Sequence, residues 1–130
     1  MRAVGIDHVV LRVADVERSV TWYRDVLGLE PVRLEAWRRG EVPFVSMRVD
    51  DATIIDLAPG ERTGQNLDHL CVLVEDADLH AIAAAGELAC EGPPRRLFGA
   101  RGVGWGLYVR DPDGNRVELR HYGEEPGAPA

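Results

Sequence analysis

The chain has 130 residues, enough for one compact domain that buries roughly two thirds of its unfolded surface. Hydrophobic residues make up 45% and charged residues 28%, an ordinary globular balance. The formal charge of −7 and pI near 5.0 exclude a general nucleic-acid backbone binder. No apolar run reaches the ~18 residues of a membrane span. Met1 to Ile6 carry no signal-peptide pattern, and Cys71 and Cys90 are too few for a disulfide framework or zinc knuckle. A cytoplasmic protein is the expectation.

Ile6 to Val13 alternates as a strand, with Val9, Leu11 and Val13 on one face and His8, Val10 and Arg12 on the other. Asp15 is a candidate N-cap for a helix over Val16 to Leu27, and Gly28 suits the left-handed position that stops it. Strands are predicted over about Glu30 to Arg39, Phe44 to Val49 and Thr53 to Leu57, with a tight turn at Asp50-Asp51. The plan is β-α-β-β-β. It then repeats: a strand over Leu67 to Val74, Asp76 as cap, a helix over Ala77 to Ala85, and Gly86 as its stop. Further strands are expected near Leu88 to Cys90, Trp105 to Arg110 and Asn115 to His121, the last two joined by the turn Asp111-Pro112-Asp113-Gly114. Gly92 to Gly106 reads as too irregular for a regular element, and Gly123 to Ala130 as a disordered tail.

Specific residues repeat along with the plan. Asp7-His8 is answered by Asp68-His69, and Val13 and Asp15 by Val74 and Asp76, at an offset of 61. Ile54-Ile55-Asp56-Leu57 is answered by Arg116-Val117-Glu118-Leu119 at an offset of 62. Each copy thus carries one histidine near its start and one carboxylate near its end. Strand parity sets His8, Asp56, His69 and Glu118 all on the faces away from the helices, which chance gives about one time in eight. Two imidazoles and one or two carboxylates on rigid strands are donors for a divalent metal. Taken singly, each reads as a strand-entry or solvent-facing residue with local hydrogen bonds. Repetition of chemistry together with topology favours the metal site.

The stretches HVVLRVADVERSVTWYRDVLGL (His8 to Leu29) and YVRDPDGNRVEL (Tyr108 to Leu119) resemble the vicinal oxygen chelate superfamily of glyoxalase I, extradiol dioxygenases, fosfomycin-modifying enzymes and bleomycin-binding proteins. The resemblance covers about residues 5 to 122. It implies an α+β fold of two βαβββ modules, about 5–58 and 66–122, whose mixed sheets curve into one cleft in a single domain over 1–122. By position, His8, Asp56, His69 and Glu118 fall where bacterial glyoxalase I carries its metal ligands, so the resemblance implies one divalent ion (Ni, Co, Zn, Mn or Fe) and a homodimer. It implies isomerase or lyase chemistry: proton transfer through a metal-stabilised enediolate, with Glu118 as base and Asp56 as its pseudosymmetric alternative. Asp56 is one methylene shorter than the glutamate usual in glyoxalase I. No glutathione-binding set is matched residue by residue, and the chain contains no lysine, which the thiol transferases of fosfomycin use. An extradiol dioxygenase using His8, His69 and Glu118 on Fe(II), and a metal-free drug-binding protein, are the alternatives.

Candidate substrate contacts are Arg12, Trp37, Phe44, Arg101 and Trp105, to which Arg95 and Arg96 add loop charges. Aromatics on strands are more often simple core. Trp22 and Tyr23 are read as structural, Cys71 as pocket wall, and His80 and His121 as non-ligands. Tyr122 shares Glu118's parity. The expected partner is a small molecule, with neither nucleic acid nor membrane involved.

Overall fold

The computed structural model describes residues 1–65 and 67–123. The expected tail therefore lies, from residue 124 on, outside the described residues. The chain divides into two compact units, Met1–Gly64 and Gln65–Ala130, and each is built as β-α followed by antiparallel strands.

Unit 1 begins with β1 (His8–Val13) and α1 (Val16–Leu27). Asp15 caps the helix: its Oδ1 accepts from the Arg18 amide at 2.9 Å, and Gly28 ends it at φ 68°. Next come β2 (Glu30–Val32), β3 (Val45–Arg48) and β4 (Ile54–Pro59), in the sheet order β1-β4-β3-β2. β1 runs parallel to β4 and the other pairs are antiparallel. Leu11, Val13, Val45, Met47, Ile55 and Leu57 meet Val20 and Tyr23 of α1 in a buried layer. The hydrophobic alternation read in the sequence is this layer. The turn at Asp50-Asp51 is closed by the Val49 amide on the Thr53 carbonyl, 3.0 Å, and the Ala52 amide on Asp50 Oδ1, 2.8 Å.

The predicted strand over Glu30 to Arg39 is corrected. Only Glu30–Val32 is extended; Arg33 turns left-handed at φ 66°, and Leu34–Arg38 forms a short helix, α2. Leu, Glu, Ala and Arg are good helix formers. Arg38 pairs with Glu35 one turn back and with Glu17 of α1 at 2.7 and 2.8 Å, which ties α2 to α1. Trp37 is thus a half-buried helix residue, not a strand aromatic.

Unit 2 contains β5 (Leu70–Leu73), α3 (Leu79–Ala85), β6 (Ala89–Cys90), β7 (Arg95–Gly99), β8 (Gly102–Arg110) and β9 (Arg116–His121). The order is β5-β9-β8-β6, with β7 also paired to β8 and β5 parallel to β9. Val117, Leu119, Leu107 and Val109 are buried, with Leu79 of α3. Three expectations are corrected here. His69 precedes β5 instead of lying within it. Asp76 adopts φ 53°, which no helix start accepts, so Asp78 caps α3 through the Ala81 amide at 3.0 Å and the helix is shorter than predicted. Residues 95–99, placed in an irregular loop, form β7, a hairpin with β8. Asp111 accepts the amides of Asp113 and Asn115 at 2.9 and 2.8 Å and builds the predicted β8–β9 turn, with Gly114 at φ 80°. Among the described residues no helix is long and apolar enough to cross a membrane.

Candidate metal and acid–base site

In each unit the histidine is oriented by the aspartate before it. His8 Nδ1 lies 2.7 Å from Asp7 Oδ2, and His69 Nδ1 lies 2.7 Å from Asp68 Oδ1. A carboxylate on Nδ1 selects the tautomer that carries its proton there and leaves Nε2 as the donor nitrogen. Asp7 also raises the His8 pKa above its ordinary value of 6.5, with a smaller contribution from the charge of Asp56.

The register places Asp56 beside Val10 of β1 and Ser46 of β3, on the face opposite α1. Ser46 Oγ donates to Asp56 Oδ1 at 2.6 Å. Both residues are buried, Asp56 being only 4% exposed, so the plain reading of a solvent-facing strand carboxylate does not hold.

The second carboxylate is more heavily partnered. Glu118, 3% exposed, sits between Cys71 of β5 and Tyr108 of β8. Its Oε2 lies 3.2 Å from His69 Nε2. Its Oε1 accepts from Arg120 Nε at 3.0 Å and pairs with Nη2 at 2.7 Å. Arg120, itself 4% exposed, also donates to the carbonyls of Leu97 and Phe98 at 3.0 and 3.1 Å. Beyond His69 the network continues: Asp68 Oδ1 accepts from Arg116 Nη1 at 3.1 Å, and Arg116 Nε donates to Glu91 at 2.5 Å. The hydrogen bond to His69, aided by the Arg116 charge, lowers the Asp68 pKa. Carboxylates therefore alternate with nitrogen-bearing side chains along Glu91, Arg116, Asp68, His69, Glu118 and Arg120.

His69 thus has a carboxylate at each ring nitrogen. With Nδ1–H on Asp68, Nε2 is left as the nitrogen that faces Glu118 Oε2. Nitrogen and oxygen donors bound to one ion at about 2.1 Å lie about 3.0–3.4 Å apart. The observed 3.2 Å falls in that range. The nitrogen and oxygen donors present therefore fit a divalent cation. Among the described residues, however, no group of three or more His, Cys, Asp and Glu side chains forms a metal-ligating cluster; the structure shows pairs.

The remaining candidates spread out. Arg12 is exposed at the end of β1 and donates to the Pro59 carbonyl at 3.3 Å. Phe44 is half-buried beneath the Arg33 guanidinium, 4.7 Å from its ring centre. Arg101 sits at the β7–β8 turn, where its amide donates to the Tyr122 hydroxyl at 3.0 Å. Trp105 pairs with His121 and Arg96, one position off the Gly106–Arg120 pair, and so faces the side away from Glu118, with His80 edge-on at 5.8 Å. Cys71 is a free thiol whose pKa is raised by burial and then by the Glu118 charge, which disfavours the nucleophilic thiolate.

Ser46, Tyr108 and Arg120 escaped the sequence reading as site residues. Tyr108 meets His69 edge-on at 5.2 Å and lies under Arg116 at 4.1 Å. Register was the available signal: Ser46 is Asp56's cross-strand neighbour and Tyr108 is Glu118's. Strand partners, however, are not legible from periodicity alone.

Two βαβββ units, each with an aspartate-oriented histidine and a buried carboxylate, define a class of paired-module α+β proteins. The chain matches the Glyoxalase/Bleomycin resistance protein/Dioxygenase superfamily over residues 5–119, and it belongs to that superfamily. It is similar to Virulence protein STM3117 of Salmonella typhimurium strain LT2, 31% identical over 123 residues that cover 90% of this chain and 83% of the relative. It is also similar to a probable lactoylglutathione lyase of Synechocystis, 27% identical over 122 residues, 86% of this chain and 91% of the relative. The crystal structure of the Salmonella protein superposes with a TM-score of 0.73 at 24% identity over 95% of this chain and all of that one, a likeness of fold.

Proposed function

We propose that the chain is a metal-dependent enzyme of the glyoxalase type, moving a proton at a carbon next to a carbonyl in a small oxygenated substrate. The observation that carries this reading is His69, held by Asp68 at Nδ1 and facing Glu118 at Nε2 across 3.2 Å. The proposal makes His8, Asp56, His69 and Glu118 the candidate ligands of a divalent ion (Ni, Co, Zn, Mn or Fe) and the protein a homodimer. A bound ion would supply Lewis acidity for the negative charge that develops on two neighbouring substrate oxygens. Glu118 takes the proton and returns it at the adjacent carbon, with Asp56 as its counterpart. Asp7 and Asp68 fix the ring orientation. Lactoylglutathione lyase relatives support the reaction class.

The test is exchange in D2O with the metal-loaded protein, using the methylglyoxal–glutathione hemithioacetal and simple α-hydroxycarbonyl compounds. Deuterium is expected at the carbon next to the carbonyl, with the rate falling about 100-fold or more in Glu118→Gln. No exchange with any of the metals would refute the reading. Ring opening of a catechol with Fe(II) would replace it by the dioxygenase.

A further inference from the structure

The side chains of Glu118, Arg120 and Tyr122 share one face of the β9 segment and cross neighbouring strands that are bare beneath them. A Cβ built on Gly106 would lie 2.6 Å from Glu118 Oε1 and 2.9 Å from Leu97 Cδ1. One on Gly104 would lie 2.9 Å from the Tyr122 ring, and one on Gly99 would lie 2.6 Å from the Arg120 guanidinium carbon and from the Tyr122 hydroxyl. None of the three has a positive φ, so their role is space and not backbone freedom. Gly104 and Gly106 alternate along β8, which puts both on the Glu118 face. Over this floor Arg120 spans from Glu118 Oε1 to the carbonyls of Leu97 and Phe98.

We propose that Gly106 and Arg120 are positioning residues that anchor Glu118 through Oε1, so that the carboxylate works through the single oxygen Oε2 beside His69. This rests on the reading of Glu118 as a metal-binding and proton-accepting group. It adds that Glu118 is a one-oxygen donor, its Oε1 held by Arg120 over the space that Gly106 leaves. The Cys71 thiol hydrogen-bonds within the same Glu118–Arg120 cluster, whereas the Gly106 floor and the Arg120 fork meet Oε1 itself.

The test uses the full-length protein and two readouts. In metal-free protein, the Arg120 Nε–H resonance, assigned by its loss in Arg120→Lys, is followed by nitrogen–proton NMR; separately, cobalt(II) affinity is titrated. The variants are Gly106→Ala, whose Cβ meets only side-chain ends, and Val109→Ala, a truncation on the opposite, buried face of β8. Gly106→Ala is expected to shift the Arg120 signal, speed its exchange and weaken cobalt binding at least tenfold. Val109→Ala should leave both within twofold of wild type. Arg120→Lys keeps the charge but loses the fork, and should weaken cobalt in the same direction even if Gly106→Ala fails to fold. An unchanged Arg120 signal in Gly106→Ala, or equal cobalt affinity in Gly106→Ala and Val109→Ala, would overturn the proposal. Wild type that binds no cobalt would refute the metal reading instead, and the metal-free resonance would still decide whether Gly106 and Arg120 hold Glu118.

Discussion

Arg120 is the residue whose removal should be felt most. A guanidinium and a carboxylate buried together offset each other's desolvation, and loss of one partner strands the other. Arg120→Met is therefore expected to cost about 3–5 kcal/mol, measured by urea denaturation, whereas Arg120→Met combined with Glu118→Leu should recover a large part of that loss. A double variant no more stable than the single one would mean that the pair does not behave as a unit. Glu91 gives a pH test. Hydrogen bonds from Arg116, then burial opposing them, then Arg110, leave its pKa below the ordinary 4.5. The unfolded chain binds the proton more readily, so this contribution is present above pH 4.5 and is lost as pH falls through the lower folded value. Glu91→Gln should lower stability by about 1 kcal/mol at neutral pH, with the gap to wild type closing on acidification. A gap independent of pH would contradict the ion-pair account.

At the scale of elements, capping and turn chemistry locate most boundaries. Asp15→Ala removes the acceptor for the Arg18 amide and is expected to cost about 1 kcal/mol, seen as a lowered thermal midpoint; Asp76→Ala should cost much less, because Asp78 carries the cap of α3. These two positions also show how far the sequence could be read. Asp15 and Asp76 occupy equivalent places in the repeat, but only the first is a cap, since Asp76 has a left-handed backbone at φ 53°. The α2 helix was hidden because Arg38 finds Glu17, 21 positions away, and long-range ion pairs leave no periodic trace. β7 was hidden by Gly99, Gly102, Gly104 and Gly106, which read as breakers; Gly99, Gly104 and Gly106 give the side chains of the β9 segment room, and Gly102 makes the turn at φ 96°. The alternation that buries Leu11, Val13, Ile55 and Leu57 was legible because one face packs on α1. Parity likewise set Asp56 and Glu118 opposite the helices; their depth was not visible, because it depends on the neighbouring strands.

For the whole molecule, two units repeat one plan with unequal elaboration. Both orient a histidine through the preceding aspartate, and both bury a carboxylate. Unit 1 holds its carboxylate through a serine hydroxyl, whereas unit 2 embeds its own in a run of polar partners from Glu91 to Arg120. A network of several partners resists displacement more than one neutral hydrogen bond does. Asp56→Ala is accordingly expected to leave the fold of unit 1 intact while weakening metal binding, and Glu118→Ala to disturb both; thermal unfolding with and without added cobalt separates the two effects.

The most direct test of the central claim is the metal content of protein purified without chelators or added metal, by mass spectrometry, in wild type and His69→Ala. Nickel, cobalt, zinc, manganese or iron near one equivalent, lost in the variant, is the predicted result. Failure of the wild type to take up any of these ions, even on reconstitution, would contradict the account and leave a metal-free binding protein in its place.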